Sequence, residues 1–228
     1  MESTDEIDRA LGIDELRAGF LQYTREAYAL LPALGQPRVL DIGCGSGLPT
    51  IELARLSGGD VVGIDTDAAA LTRMRQRVEE AGLSHRVKAV NASLYESGLP
   101  GGSFDLLWEE GLLHQLDLSK SLAACHRLLR PSGFLVMHET ISWFEGVEPR
   151  LGGFGFRLVK ARLLPSHCWW TDYYAPLEAR VRKLREGRNG DARVAGLARY
   201  QREIDMVKTD PGRVDCGFFV ARSVPRRT

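Results

Sequence analysis

From Arg38 to Glu139 the chain keeps one rhythm, a short apolar run followed by a longer stretch of helical periodicity. The runs read RVLDI, DVVGID, RVKAV, SFDLLWEE and GFLVMHE, and between them lie LPTIELARLS, DAAALTRMRQRVEEAGL and LDLSKSLAACHRLLRPS. Runs this apolar suit strands covered on both faces. Strands separated by helices of this length pair in parallel through crossovers. The expectation is an α/β three-layer sandwich around a mostly parallel sheet of seven strands. Gly82 should cap the second of these helices, and Pro131-Ser132-Gly133 should turn the chain into its fifth strand.

On either side the rhythm fails. Leu16, Phe20, Tyr23, Ala27 and Leu30 share helical spacing ahead of Pro32 and Gly35-Gln36-Pro37, which predicts one amphipathic N-terminal helix. Residues 140–175 gather Trp143, Phe144, Phe154, Phe156, Trp169, Trp170, Tyr173 and Tyr174 among glycines and prolines. Two polar helical stretches follow, PLEARVRKLREG and DARVAGLARYQREIDMVKTD, and DCGFFVARSV then returns as an antiparallel last strand. The chain reads as a single domain over 1–228, with a helical cap at 1–35, a core at 36–139, an aromatic-rich insertion with helices at 140–212 and a terminal strand at 213–228. The loop EGRNGD, residues 186–191, is the candidate boundary within it.

Composition narrows the function classes. Lysine plus arginine and aspartate plus glutamate number 30 each, so no overall field draws the chain to a phosphate backbone or an anionic membrane. The stretch ARVRKLREGR is the one basic stripe, and it reads as a solvated helix face. Cys44, Cys125, Cys168 and Cys216 are scattered without a CxxC pair, and the five histidines form no short ligand motif, so neither a zinc site nor a disulfide framework is expected. The acidic N-terminus lacks an apolar leader segment, and no apolar run approaches a membrane span. A soluble, cytoplasmic protein is expected, with no nucleic-acid or membrane partner, as a monomer or homodimer.

The chemistry concentrates in VLDIGCGSG, residues 39–47. A glycine turn between a first strand and its helix is the ligand site of doubly wound sheets, because backbone amides there face the crevice beyond the strand ends. A dinucleotide fingerprint wants Gly or Ala where this chain has Leu48, so the spacing is GxGxG instead. Asp41 adds a carboxylate beside the turn, which repels a pyrophosphate and attracts a small organic cation. An acid at the end of the second strand, about twenty residues on, can accept both hydroxyls of a ribose. Asp65 holds that place, and Asp67 opens the next helix as its N-cap.

VLDIGCGSG resembles the first motif of the class I S-adenosylmethionine-dependent methyltransferases, Rossmann-like enzymes, and the likeness, to the small-molecule type, extends over residues 38–139. The resemblance implies S-adenosylmethionine as cofactor and S-adenosylhomocysteine as product. It places Gly43, Cys44 and Gly45 under the methionine part, Asp41 at the amino group, and Asp65 on the ribose with Thr66 against the adenine. Asn91, Ala92 and Ser93 fall at the adenine edge, where the acid usual in the family is absent. Asn91 reads equally as a loop cap.

The fourth strand ends where such enzymes present groups to cofactor and acceptor. Glu109 is the candidate for the cofactor and Glu110 for the pocket. His114 and, at the end of the fifth strand, His138 beside Glu139 are the rival general bases. Trp143, Trp169, Trp170, Tyr173 and Tyr174, with Tyr23 from the N-terminal helix, are candidates for lining an acceptor pocket; core packing accounts for some of them equally well. The expected activity is methylation of a small molecule by in-line displacement. An RNA or protein methyltransferase and a non-catalytic cofactor-binding protein are the alternatives.

Overall fold

The computed structural model describes residues 4–186 and 191–225, so residues 187–190 of the expected loop lie outside the described residues. In chain order the helices are α1 (Thr4–Leu11), α2 (Ile13–Ala18), α3 (Leu21–Tyr28), α4 (Leu48–Ser57), α5 (Ala68–Glu80), α6 (Leu118–Leu128), α7 (Ile141–Val147), α8 (Ala175–Glu186) and α9 (Asp191–Thr209). The strands are β1 (Arg38–Ile42), β2 (Asp60–Asp65), β3 (Val87–Asn91), β4 (Phe104–Glu110), β5 (Leu129–Thr140), β6 (Phe156–Leu163) and β7 (Cys216–Ser223). They fall into two compact units, Gln22–Leu163 with Cys216–Thr228, and Met1–Leu21 with Leu164–Asp215.

The first unit is built on a seven-stranded sheet ordered β3-β2-β1-β4-β5-β7-β6. The pairs from β3 to β5 are parallel, and β7 runs antiparallel to both β5 and β6. This is the expected mostly parallel sheet with an antiparallel last strand. The position of one strand, β6, was not legible: FRLVKARL mixes charge into a mostly exposed edge strand, so the buried-run signal is missing.

Local chemistry shapes the joins. Asp67 caps α5 as expected, its Oδ1 accepting from the amides of Ala69 at 2.9 Å and Ala70 at 3.1 Å. Gly82 follows α5 at φ 68°, the left-handed position a helix end favours. The turn at Pro131-Ser132-Gly133 sits inside β5, where the register with β4 jumps from Leu129–Phe104 to Phe134–Leu106.

Register assigns side chains to faces, since residues paired across parallel strands point the same way. Asp41, Trp108, Val136 and Phe218 share one face with Glu110 and His138. Ile42, Glu109, Met137 and Phe219 share the other with Glu139. That second face carries the main core, where Leu122 and Cys125 of α6 and Phe144 of α7 are buried against Leu107, Met137 and Phe219. Phe144 and Phe219 stack with ring centroids 3.6 Å apart.

The single N-terminal helix expected from spacing is three helices. Gly12 takes φ 61°, a left-handed conformation that an α-helix cannot continue through, and α1 stops there. In the helical unit Arg180 Nη1 donates to the carbonyls of Leu11 and Gly12 at 2.8 and 3.0 Å. Asp8 of α1 accepts from Arg199 at 2.6 Å and also from the Tyr200 hydroxyl of α9. These bonds join segments far apart in sequence into one packed body. No described helix is long and apolar enough to cross a membrane.

Candidate active site at the carboxyl ends of the strands

Strands β1 and β4 are neighbours whose connections leave in opposite directions, the point at which an open α/β sheet forms a crevice. The chain leaves β1 through Gly43, Gly45 and Gly47, with φ of 73°, 51° and 82°. The amides of Gly43 and Cys44 donate to the Ile64 carbonyl at 2.8 and 3.1 Å, which fixes the turn to β2. A Cβ at Gly47 would stand 2.5 Å from Met74 Cγ, and one at Gly43 would stand 2.8 Å from Leu112 Cδ2. At Gly45 a Cβ would meet nothing within 4 Å. Two glycines of the turn therefore serve packing, and Gly45 presents open backbone. Cys44 is turned inward, its Sγ 3.5 Å from Met74 Sδ, and burial pushes its thiol up.

Around this turn stand three carboxylates. Asp65 ends β2 and accepts from the amides of Gly45 and Asp67, each at 2.8 Å. Asp41 is 2% exposed, and its Oδ2 accepts from Thr50 Oγ1 of α4 at 2.6 Å. Glu110 ends β4, its Oε1 accepting from Thr24 Oγ1 of α3 at 2.9 Å and from Trp108 Nε1 at 2.8 Å. Burial pushes Asp41 up to about 7; Thr50 opposes this, and the charges of Glu110 and Asp65 add to it. Glu110 is also raised by burial, against its two donors. A buried carboxylate raised by two neighbouring carboxylates would welcome a cation. The open backbone at Gly45 with that cluster fits a ligand bearing an ammonium or sulfonium group and hydroxyls.

The remaining candidates separate. Thr66 is exposed next to Asp65, and Ala92 and Ser93 are half-buried. The Ala92 amide and the Asn91 side-chain amide both donate to the Asp65 carbonyl at 3.0 Å, so the Asn91 amide group serves the loop. Glu109 is fully buried on the face away from Asp41. Its Oε2, expected from the sequence to face the cofactor, accepts from the amides of Leu112 and Leu113 at 3.0 and 3.3 Å.

The histidines also part company. His138 is buried, stacked on Phe218 at 4.4 Å, with Nε2 3.2 Å from Cys216 Sγ. Burial lowers its pKa to about 4, which makes it a poor proton acceptor near neutrality. His114 keeps a 44% exposed side chain and places Nδ1 2.8 Å from Oε2 of Glu139, whose side chain is 1% exposed. The other oxygen of Glu139 accepts from the His114 amide at 3.0 Å. Sequence adjacency pairs His138 with Glu139; the sheet pairs Glu139 with His114, because strand neighbours point to opposite faces.

The aromatics divide between the units. Trp143 of α7 packs against the main core. Tyr23 is buried on α3, and Tyr28 from the same helix reaches Trp108 with centroids 6.5 Å apart. In the helical unit Trp169 stacks on Phe20 at 4.4 Å, with Tyr173 edge-on to it at 5.3 Å and Tyr174 at 6.2 Å. Trp170 lies under Lys208 Nζ at 5.8 Å. A π-helical turn, Trp170–Tyr174, carries three of these rings, with Trp169 as its N-cap, and such turns recur at functional sites. Spacing alone missed Thr24 and Thr50, whose contacts exist only once helices are laid on the sheet.

Residues 40–137 match the model of the methyltransferase domain family. The chain is 29% identical to 27-O-demethylrifamycin SV methyltransferase of Amycolatopsis mediterranei, over 80% of this chain and 57% of that protein. It is 36% identical to ubiquinone biosynthesis O-methyltransferase of Cereibacter sphaeroides, over 50% of this chain and 45% of that protein. It thus spans about half the length of these curated relatives. An S-adenosylmethionine-dependent methyltransferase from Thiobacillus denitrificans, solved with S-adenosylhomocysteine, has the same fold, with a TM-score of 0.71 at 20% identity over 89% of this chain and 91% of that one. The strand order and the glycine turn thus accompany a match to the methyltransferase domain family over residues 40–137, and the chain shares the fold of a solved S-adenosylmethionine-dependent methyltransferase.

Proposed function

We propose that the chain binds S-adenosylmethionine and methylates a hydroxyl group of a small molecule. The observation that carries the reading is the set of carboxylates, Asp41, Asp65 and Glu110, gathered about the open backbone of Gly45. Asp65 would take the ribose hydroxyls, Asp41 the ammonium group, and residues 91–93 the adenine edge. The bound cofactor supplies a methyl group on an already activated carbon. The protein's work is then to orient the acceptor, exclude water and receive a proton.

His114 is the residue for the proton. With Nδ1 held by Glu139, Nε2 is the ring atom left to take a proton from an acceptor hydroxyl, and Glu139 steadies the resulting imidazolium. An oxygen acceptor needs such a base more than an amine does, and the relatives whose names specify an O-methylation agree with it.

Calorimetry tests the cofactor. S-adenosylhomocysteine should bind, and Asp65→Ala should weaken it by about 1.5 to 3 kcal/mol, the worth of hydrogen bonds to a charged acceptor. Tight uptake of NADH together with indifference to S-adenosylmethionine and S-adenosylhomocysteine would overturn the reading.

A further inference from the structure

Three successive backbone amides after β4 are held by two buried carboxylates from neighbouring strands. Glu109 Oε2 accepts from Leu112 and Leu113, and Glu139 Oε1 accepts from His114. The register places both acids on one face, Glu109 opposite Met137 and Glu139 two residues farther along β5. The second oxygen of Glu139 is spent on the His114 ring. The second oxygen of Glu109, Oε1, is buried without a hydrogen-bond partner.

We propose that Glu109 is the positioning residue of the His114–Glu139 pair, fixing the backbone ahead of His114 as a neutral acid, so that Glu139 carries the single negative charge. This rests on His114 being the proton acceptor of the proposed reaction. Two facts make the neutral form the one that fits. A charged carboxylate with an unpartnered buried oxygen is costly, whereas a protonated Oε1 leaves Oε2 as the carbonyl-like acceptor that the two amides require.

The titratable groups that act on Glu109 favour the same form. They are Glu139 from β5 and, from the opposite face of β4, Glu110, with Cys125 of α6 near Glu109 and His114 beyond Glu139. Burial first, and the charge of Glu139 next, push Glu109 well above the usual carboxylate range against the two amides. Burial pushes Glu139 upward too, but His114 pulls it back through its charge, its amide and its ring. The proton therefore settles on Glu109. The arrangement assigns the two acids different work from adjacent strands, one holding the loop and the other serving the imidazole.

The test uses Glu109→Gln and Glu109→Leu in the full chain, with two readouts that need no acceptor. Infrared difference spectra at neutral pH should show the carbonyl stretch of a protonated carboxyl in the parent that Glu109→Gln lacks. Nitrogen NMR of the cofactor-free protein should show His114 locked as the Nδ1–H tautomer in the parent and in Glu109→Gln, and mixed tautomers in Glu109→Leu. With an acceptor in hand, Glu109→Leu should lose roughly 10- to 100-fold in kcat at unchanged KM for the cofactor, as a displaced catalytic group does. Glu109→Gln should retain turnover.

Absence of the infrared difference means an ionised Glu109 and overturns the proposal, as does an unchanged His114 tautomer in Glu109→Leu. If the leucine variant does not fold, Glu109→Met takes its place, and the infrared comparison stands without either. Full turnover by His114→Ala would overturn the base assignment alone, and the spectroscopic results would still decide the placement of the proton.

Discussion

Asp41 shows how burial brings the titration of one side chain toward neutrality. Unfolded it ionises near 3.8, and folded near 7, so between those values the folded state holds the extra proton. Stability from this group is therefore lost as pH rises through that window, because the unfolded chain sheds a proton the folded chain keeps. Asp41→Asn should flatten the decline from about pH 4 to about pH 7 in denaturant melts, Glu109, Glu110 and Glu139 leaving a residual slope. A variant with the parent's slope would remove Asp41 as its source. A cation bound at Asp41 lowers its pKa again, so cofactor binding should release protons near neutrality and tighten as pH rises toward 7. Calorimetry in buffers of different ionisation enthalpy reads that release directly.

Among the elements, the turn after β1 separates packing from recognition. Gly47→Ala forces a Cβ to 2.5 Å from Met74 Cγ in a left-handed conformation, and should cost at least about 2 kcal/mol in denaturant melts. Gly45→Ala meets no neighbour. It should cost about 1 kcal/mol of stability from its φ alone and, on the proposed reading, lose affinity for S-adenosylhomocysteine, because the methyl group would stand on the face proposed for the ligand. Equal effects of the two changes on affinity per unit of lost stability would show that the turn only packs. The loop after β4 follows a similar division, with Gly111 bonded to the His138 carbonyl at 2.9 Å and the next three amides given to carboxylates. A short loop so fully bonded holds His114 more firmly than its exposure suggests.

At the level of the whole molecule, the helical unit is assembled from an N-terminal segment and an internal segment that lie far apart in sequence, and its core includes Leu11, Leu177, Val181 and Ile204. Leu11→Ala should cost that unit about 2 to 5 kcal/mol through the cavity it leaves, seen as faster hydrogen exchange in α8 and α9. Unchanged exchange there would place Leu11 outside the cooperative core. The sequence by itself determined the parallel sheet, the glycine turn, Asp65 at its strand end and the cap at Asp67, since these follow from local periodicity and from residue types that act on their own neighbours. Strand β6 stayed hidden because an edge strand exposes both faces and loses the apolar signal. Only the tertiary structure decided that Glu139 serves His114, that Glu109 turns to the loop and that Thr50 and Thr24 tie down Asp41 and Glu110. Those partners come from different strands and helices, and alternation along a strand sends adjacent residues to opposite faces, so distance in sequence carries no information about which of them meet.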